Sequence, residues 1–482
     1  MLSCKVIKNK YCKVIQIDLS DFFIYDEFSE VIMQQSNLTQ GSISKHIKRI
    51  AIPTSIGFLF NTFFNVVDTI FAGQISTDAL SGLTLSFPIF FIIIAIASGF
   101  GNGLTALISV ALGKKEIHDF HKLILNALLI SLFFGLLFIF VLPNIITPLF
   151  ELAGASGQAL QYGLDYTNTI FIGAIFFLLN FVFNAILSSQ GNTKPFRNYL
   201  VIGFFLNLIL DPLFIFGWFG LPELGTQGVA LATILVQSFG TIYMGSHVLK
   251  SELFDMKKMS IKDSSPKVML DIFVQGIPSS LNLAAIAIGV FIINYYVLLY
   301  GGDISVASYG AALRIQQVAL LPSLGLNVAI ITIIGQNLGA KQFDRMAETK
   351  KTAMKMGLFL VITGGIIVFA FAPLLMSIFN SNPDVIRIGA RYLRIDTIGF
   401  VTYLIINVNT SALQGIKKPL FALIIGIFRQ LLPLFIFPLL GTTFNLGIDG
   451  VWYGIVVINW LATFLLYFIT LAIFKKLKKT MS

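Results

Sequence analysis

Charged side chains are scarce in this sequence: Asp, Glu, Lys and Arg make up 12% of its 482 residues, about half the share found in a soluble globular domain. So little charge does not clothe a water-soluble surface. Cysteine is scarcer still. Cys4 and Cys12 both lie in the polar N-terminal segment, which excludes a disulfide framework. The chain also lacks a metal-ligand cluster, a Walker motif, a nucleotide fingerprint and a nucleophile triad. Those absences exclude an enzyme with a catalytic site or a bound cofactor, and they leave an ion gradient as the energy source unless a separate ATPase subunit takes part. His118 and His121, three apart beside lysines, read as surface residues. The first 40 residues lack the basic, apolar and small-residue order of a signal peptide.

Apolar residues are what the chain has, at 56% of the sequence and a mean hydropathy of +0.85. They fall in runs at 51–71, 84–112, 123–148, 162–190, 196–217, 227–249, 269–299, 305–338, 352–378, 386–414, 419–439 and 450–475. Each run is long enough to span a bilayer, which needs about 20 residues. The net charge of +10 sits in short clusters between these runs, with no basic groove of stacking aromatics, so nucleic acid is excluded as a partner.

Lys and Arg accumulate on the cytoplasmic side of a membrane, and here they alternate. Lys45, Lys48 and Arg49 precede the first run, Lys114, Lys115 and Lys122 follow the second, and five lysines from Lys250 to Lys267 follow the sixth. The connections at 72–83, 149–161, 218–226, 300–304 and 440–449 contain neither residue. Arg387, Arg391 and Arg394 break the pattern, either snorkelling to the outer interface or facing an aqueous cavity. Twelve spans with both termini inside follow, in a bacterial-type cytoplasmic (inner) membrane.

The second half repeats the first. Ala51-Ile52-Pro53 returns as Gly276-Ile277-Pro278, Leu112-Gly113 as Leu338-Gly339, Gln190-Gly191 as Gln414-Gly415 and Gly228-Val229 as Gly450-Val451, at offsets of 225, 226, 224 and 222. An all-α polytopic membrane protein is predicted, with two parallel six-helix repeats around a central cleft. Residues 1–44 read as a cytoplasmic extension, 45–250 as the N-terminal lobe, 251–268 as a cytoplasmic linker, 269–475 as the C-terminal lobe and 476–482 as the tail.

Polar residues inside spans mark the functional positions. Asp68 lies near the end of the first run, either in the hydrocarbon, where a carboxylate costs about 2.5–3.5 kcal/mol, or at the outer interface. Asn207 and Asp211 are four apart on one helix face, as are Asn180 and Asn184. These amides are either interhelical glue or, with the two acids, a proton or cation site. The C-terminal half offers Asn282, Asn294, Asn407, Asn409 and Gln414, with Asp396 read as near the outer end. Charge chemistry is therefore expected in the N-terminal lobe. Pro53 is a candidate bending point.

The stretch Val67-Asp68-Thr69-Ile70-Phe71-Ala72-Gly73, then Ala79-Leu80-Ser81-Gly82 and Ala111-Leu112-Gly113, resembles the opening of the multidrug and toxic compound extrusion (MATE) family. Ile334-Gly335-Gln336-Asn337-Leu338-Gly339 and Leu413-Gln414-Gly415 resemble its second half. The resemblance implies export of small cationic or amphipathic drugs or metabolites in exchange for protons or sodium, by alternating access. It implies that Asp68 is a membrane-embedded carboxylate of the coupling site, joined by Asp211, Asn207 and Asn184 as in DinF-like members. Sodium, the alternative ion, would take Asp68 and Asp211 as ligands. Pro53 matches a first-helix proline whose bending has been proposed to accompany protonation. Ile286 and Tyr403 stand where NorM-like members carry acids in the C-terminal lobe. The expected partners are small organic substrates, protons or sodium, and membrane lipids, with no cofactor and a monomer as the working unit. A lipid-linked saccharide flippase of the wider superfamily and a non-transporting membrane scaffold are the rival readings.

Overall fold

The computed structural model describes residues 37–152 and 154–481. Among them, ten helices are long and apolar enough to cross a membrane. Two features raise the spanning segments to twelve. The helix Pro266–Gly339 is two helices joined at Gly302, whose φ of +67° suits glycine, so one residue makes the outer turn. Pro383–Gly415 is also long enough, but charged residues in its first turns dilute its hydropathy. The spans are α1 (Ile43–Ile75), α2 (Thr77–Lys114), α3 (Ile117–Phe140), α4 (Gly157–Ser189), α5 (Lys194–Ile215), α6 (Thr226–Leu249), α7 and α8 (266–301 and 303–339), α9 (Phe343–Ser377), α10 (Pro383–Gly415), α11 (Pro419–Thr443) and α12 (Ile448–Met481).

The run expected over 123–148 stops short. Proline lacks the N–H that would bond back to the carbonyl four residues earlier, and Pro143 sits in a tight turn, Leu142–Asn144, before a short helix, Ile146–Leu152. In α11, Pro433 interrupts the ladder after Leu431 and the helix resumes over Pro433–Pro438.

Each half forms a bundle with its own apolar core, yet each lends its opening turns to the other. Ile43, Ile47 and Ile50 at the start of α1 are buried in the C-terminal core. Ile272 at the start of α7 is buried in the N-terminal core, with Phe273 against Phe100. The close inter-lobe contacts obey the same exchange. A Cβ on Gly99 would meet Ser280 and one on Gly325 would meet Ser55. A Cβ on Gly113 would fall 2.0 Å from the Gln336 carbonyl oxygen, and one on Gly339 2.2 Å from that of Val110. Subtracting 226 from Gly325, Gly339 and Gln336 gives Gly99, Gly113 and Val110, so the duplication is also a pseudo-twofold relation at the lobe interface. These contacts run from the middle of the molecule to the end bearing the lysine-rich connections.

The expected extension over 1–44 lies outside the described residues up to 36, as do Cys4 and Cys12. Its last part is docked. Leu38 is fully buried, its N–H donates to Gln336 Oε1 at 3.0 Å, and its carbonyl accepts from Asn337 Nδ2 at 3.3 Å. Gln336 Nε2 in turn donates to the Ser189 carbonyl at 2.7 Å. One side chain thus joins the N-terminal segment, α4 and α8.

One surface reading changes. His121 is buried, not exposed: it bonds the Ile117 carbonyl through Nδ1 at 2.8 Å and accepts the Asp255 N–H at Nε2, 3.0 Å away. Asn126, one and a half turns on, holds Ser265 N–H and the Asp263 carbonyl. Together they pin the inter-lobe linker to α3. The three arginines of α10 stay at the helix end. Arg387 pairs with Asp384 at 2.9 Å, Arg391 with Asp449 of α12 at 2.6 Å, and Arg394 sits over the Phe369 ring.

The last landmark of the repeat has a packing cause. A Cβ on Gly228 would lie 2.6 Å from the Phe214 backbone, and one on Gly450 2.7 Å from the Gly441 nitrogen. In both lobes the sixth helix starts by touching the backbone that ends the fifth. Gly228→Ala and Gly450→Ala are expected to destabilise by about 1–3 kcal/mol each, the usual overpacking cost, read as a lower unfolding temperature in detergent.

Candidate functional site

Asp68 is the buried acid of α1, in the half of the membrane away from the lysine-rich end. Asp211 and Asn207 are fully buried on one face of α5. Their four-residue spacing lets Asn207 Nδ2 donate to Asp211 Oδ1 at 2.9 Å. Asp68 stands beside both Asn207 and Asp211. From α6, Thr233 Oγ1 donates to Asp68 Oδ2 at 3.4 Å. Tyr166 of α4 lies beside both carboxyls.

The cluster has more acceptors than donors. Asp68 Oδ1, Asp211 Oδ2 and Asn207 Oδ1 are all buried without a hydrogen-bond partner. Two facing carboxyl oxygens repel unless a proton or a cation stands between them. A proton held by the pair relieves that repulsion, and a cation drawing on these oxygens does the same.

Asn180 has other partners. Its Nδ2 donates to the Gln237 carbonyl at 2.9 Å and to Gln237 Oε1 at 2.7 Å, and Thr241 Oγ1 donates to its Oδ1 at 3.0 Å. Tyr199 Oη completes this network on Gln237 Oε1 at 2.6 Å. Asn184 keeps a buried oxygen without a partner. Gln237→Leu is expected to strand the Tyr199 hydroxyl, at about 1–3 kcal/mol, while Asn180 keeps the backbone carbonyl of residue 237. The unfolding temperature should drop while coupled transport survives, which a melt and a flux assay on one preparation separate. Thr233 and Gln237 escaped the sequence reading although they stand four apart on one face of α6, the same signal that exposed Asn207 and Asp211.

Pro53 is buried within an unbroken α1. The Ile50 carbonyl beside it accepts from two hydroxyls, Thr54 Oγ1 at 2.7 Å and Thr193 Oγ1 of the neighbouring α5 region at 3.0 Å.

The C-terminal lobe holds an acid where none was expected. Asp396 is fully buried, not at the outer end. It lies 13 residues beyond Pro383, about 20 Å along the helix at 1.5 Å per residue. Gln316 Nε2 donates to one of its oxygens at 2.6 Å and Tyr403 Oη to the other at 3.4 Å. The neighbouring arginines had masked its burial: Arg387, Arg391 and Arg394 are exposed, whereas Asp396 turns to the buried side of the same helix. The acid pair remains a feature of the N-terminal lobe alone.

Two lobes that exchange their opening turns, packed together towards one end and holding buried acids towards the other, define the class: a multi-pass membrane transporter rather than an enzyme. The chain belongs to the MatE family of multidrug efflux transporters, whose family model, described as MatE, matches residues 53–213 and 278–439, one copy in each lobe. It is 27% identical over 426 residues, 86% of this chain and 89% of the relative, to a Thermotoga maritima protein named probable multidrug resistance protein NorM. It is 27% identical over 462 residues, 92% of this chain and 98% of the relative, to a Shewanella oneidensis protein named FAD transporter. An outward-facing structure of a multidrug resistance MATE family transporter of the MOP superfamily matches with a TM-score of 0.85 and 27% identity, over 92% of this chain and 98% of that one.

Proposed function

We propose that this transporter exports small cationic or amphipathic organic compounds in exchange for protons, and that Asp68, Asp211 and Asn207 form the coupling site. One observation carries the reading: two buried, neighbouring carboxyls with an unpartnered oxygen on each. A proton entering from the outer side settles between them. A proton leaving towards the inner side restores two like charges, which then favour a cationic substrate nearby. With both termini inside the cell, the lobes here are closed at the cytoplasmic end and the chain faces outward. Alternating access then consists of parting the glycine contacts of α2, α7 and α8 while the far end closes, with α1 bending at Pro53. Asn180 and Asn184 line the same lobe as positioning groups. The paired acids and amides of one lobe, with Ile286 and Tyr403 in the other, favour the DinF-like subgroup, with a monomer as the working unit.

The test places purified protein in liposomes with a trapped fluorescent cation indicator and imposes a pH gradient or a sodium gradient separately. Flux should follow the pH gradient. Flux driven by sodium at constant pH would overturn the proton assignment.

A further inference from the structure

The C-terminal lobe contains a cavity of about 220 Å³ bounded by α7, α8, α10, α11 and α12. Its polar lining is Tyr309, Gln316, Gln317, Tyr403, Arg429, Gln430 and Asn459. Every one of these is neutral except Arg429. The rest of the wall is apolar, including Val290, Pro433 and Phe437.

Arg429 stands in the last turn of the first part of α11, within an apolar span. A cation at that depth is costly and finds a counter-charge or water. Among the described residues, no carboxylate comes within 4.0 Å of its guanidinium, and its recorded hydrogen bond is from Nη1 to Asn459 Oδ1 at 3.5 Å. Guanidinium carries five N–H donors, so most of them are unused. Asp396, the buried acid of the lobe, is not part of the cavity wall, and both its oxygens already accept from Gln316 and Tyr403. Asn459 gives its oxygen to Arg429, and its amide lies beside the Tyr403 hydroxyl on the cavity wall. Arg314 of α8 is exposed and does not line the cavity.

We infer that this cavity binds a small organic anion, its carboxylate or phosphate held by the Arg429 guanidinium and the Asn459 amide, and its apolar body against Val290, Pro433 and Phe437. The planar fork of arginine matches both groups bidentately. The volume lies below the roughly 300–1,000 Å³ of drug-sized pockets, which selects a single ring system or the headgroup end of an amphiphile. The site adds to the cation export proposed above a second site of opposite sign in the opposite lobe. It is tested by binding without any ion gradient, so its failure and that of proton coupling are read separately.

The experiment is calorimetric titration of the full chain in phosphatidylcholine nanodiscs with naphthoate and with naphthyl phosphate, competed by naphthylmethylammonium as the matched cation. Saturable binding of the anions without displacement by the cation is expected. Arg429→Gln should weaken it about thirtyfold or more, the usual effect of removing a hydrogen-bonded charge partner, and Arg429→Lys should fall between. Asn459→Leu keeps the charge and serves if Arg429→Gln fails to fold; it should weaken binding several-fold. Phosphatidylglycerol nanodiscs distinguish the source of the anion. Loss of naphthoate binding in them marks a lipid headgroup as the occupant, and unchanged binding marks a free solute. Equal affinity in Arg429→Gln, equal competition by the cation, or no saturable binding of either anion in phosphatidylcholine overturns the site.

Discussion

Asp68→Asn and Asp211→Asn are each expected to reduce proton-driven uptake of a fluorescent cation into inverted vesicles to the level of vesicles without the protein. The replacement keeps the shape of the side chain and the fold around it. An amide at either position can donate to the facing carboxylate, so the unpartnered oxygens of the cluster gain a donor without any proton being taken up. What disappears is the group that exchanges the proton. The unfolding temperature of both variants should therefore stay at or above that of the parent, because a repelling carboxylate pair has become a donor and an acceptor. Uptake that persists with unchanged proton dependence in the double variant would remove these residues from the coupling site.

The second large effect belongs to the closed end. Gly113→Leu and Gly339→Leu place a Cβ where the carbonyl oxygens of Gln336 and Val110 stand, at 2.0 and 2.2 Å. Both obstacles are backbone, which no rotamer change relieves. At about 1–3 kcal/mol for overpacking, the closed arrangement loses roughly five- to 140-fold in population, since each 1.4 kcal/mol is a factor of ten. The readout is maleimide labelling of Ser189→Cys in a chain with Cys4 and Cys12 replaced by Ser. Ser189 is fully buried beside Gln336 in the closed state, so labelling should rise sharply in either leucine variant, and transport should stall. Wild-type turnover with Ser189→Cys still protected would show that this end does not gate.

Most of the architecture was legible because lipid imposes simple rules. Length of apolar run, lysine alternation and the self-match around Gly113 and Gly339 lead directly to twelve spans in two copies. The acids Asp68 and Asp211 were legible for the same reason, since a carboxylate in such a run has few explanations. What escaped needed three-dimensional information. Asp396 was hidden by Arg387, Arg391 and Arg394, whose charge made these turns of α10 read as the outer end. His121 lies in a charged stretch and is buried only because the linker folds back over it. Thr233 looked like an ordinary span hydroxyl, and its Oγ1 does bond its own helix at the Val229 carbonyl, 3.0 Å away, as well as Asp68. Asn180 carried the right chemistry on the right face, but Gln237, a helix away, sets what it touches.

The exchange of opening turns between the lobes also bears on how the chain is made. The first two turns of α1 emerge early in synthesis, yet Ile43, Ile47 and Ile50 belong to the core of the later lobe. Until α8 to α10 have entered the bilayer those side chains have no permanent neighbours, and the N-terminal bundle in turn waits for Ile272 of α7. Neither half is finished before the ribosome has reached the other. Assembly therefore ends with the seam between the lobes, the same surface that must later come apart in every transport cycle.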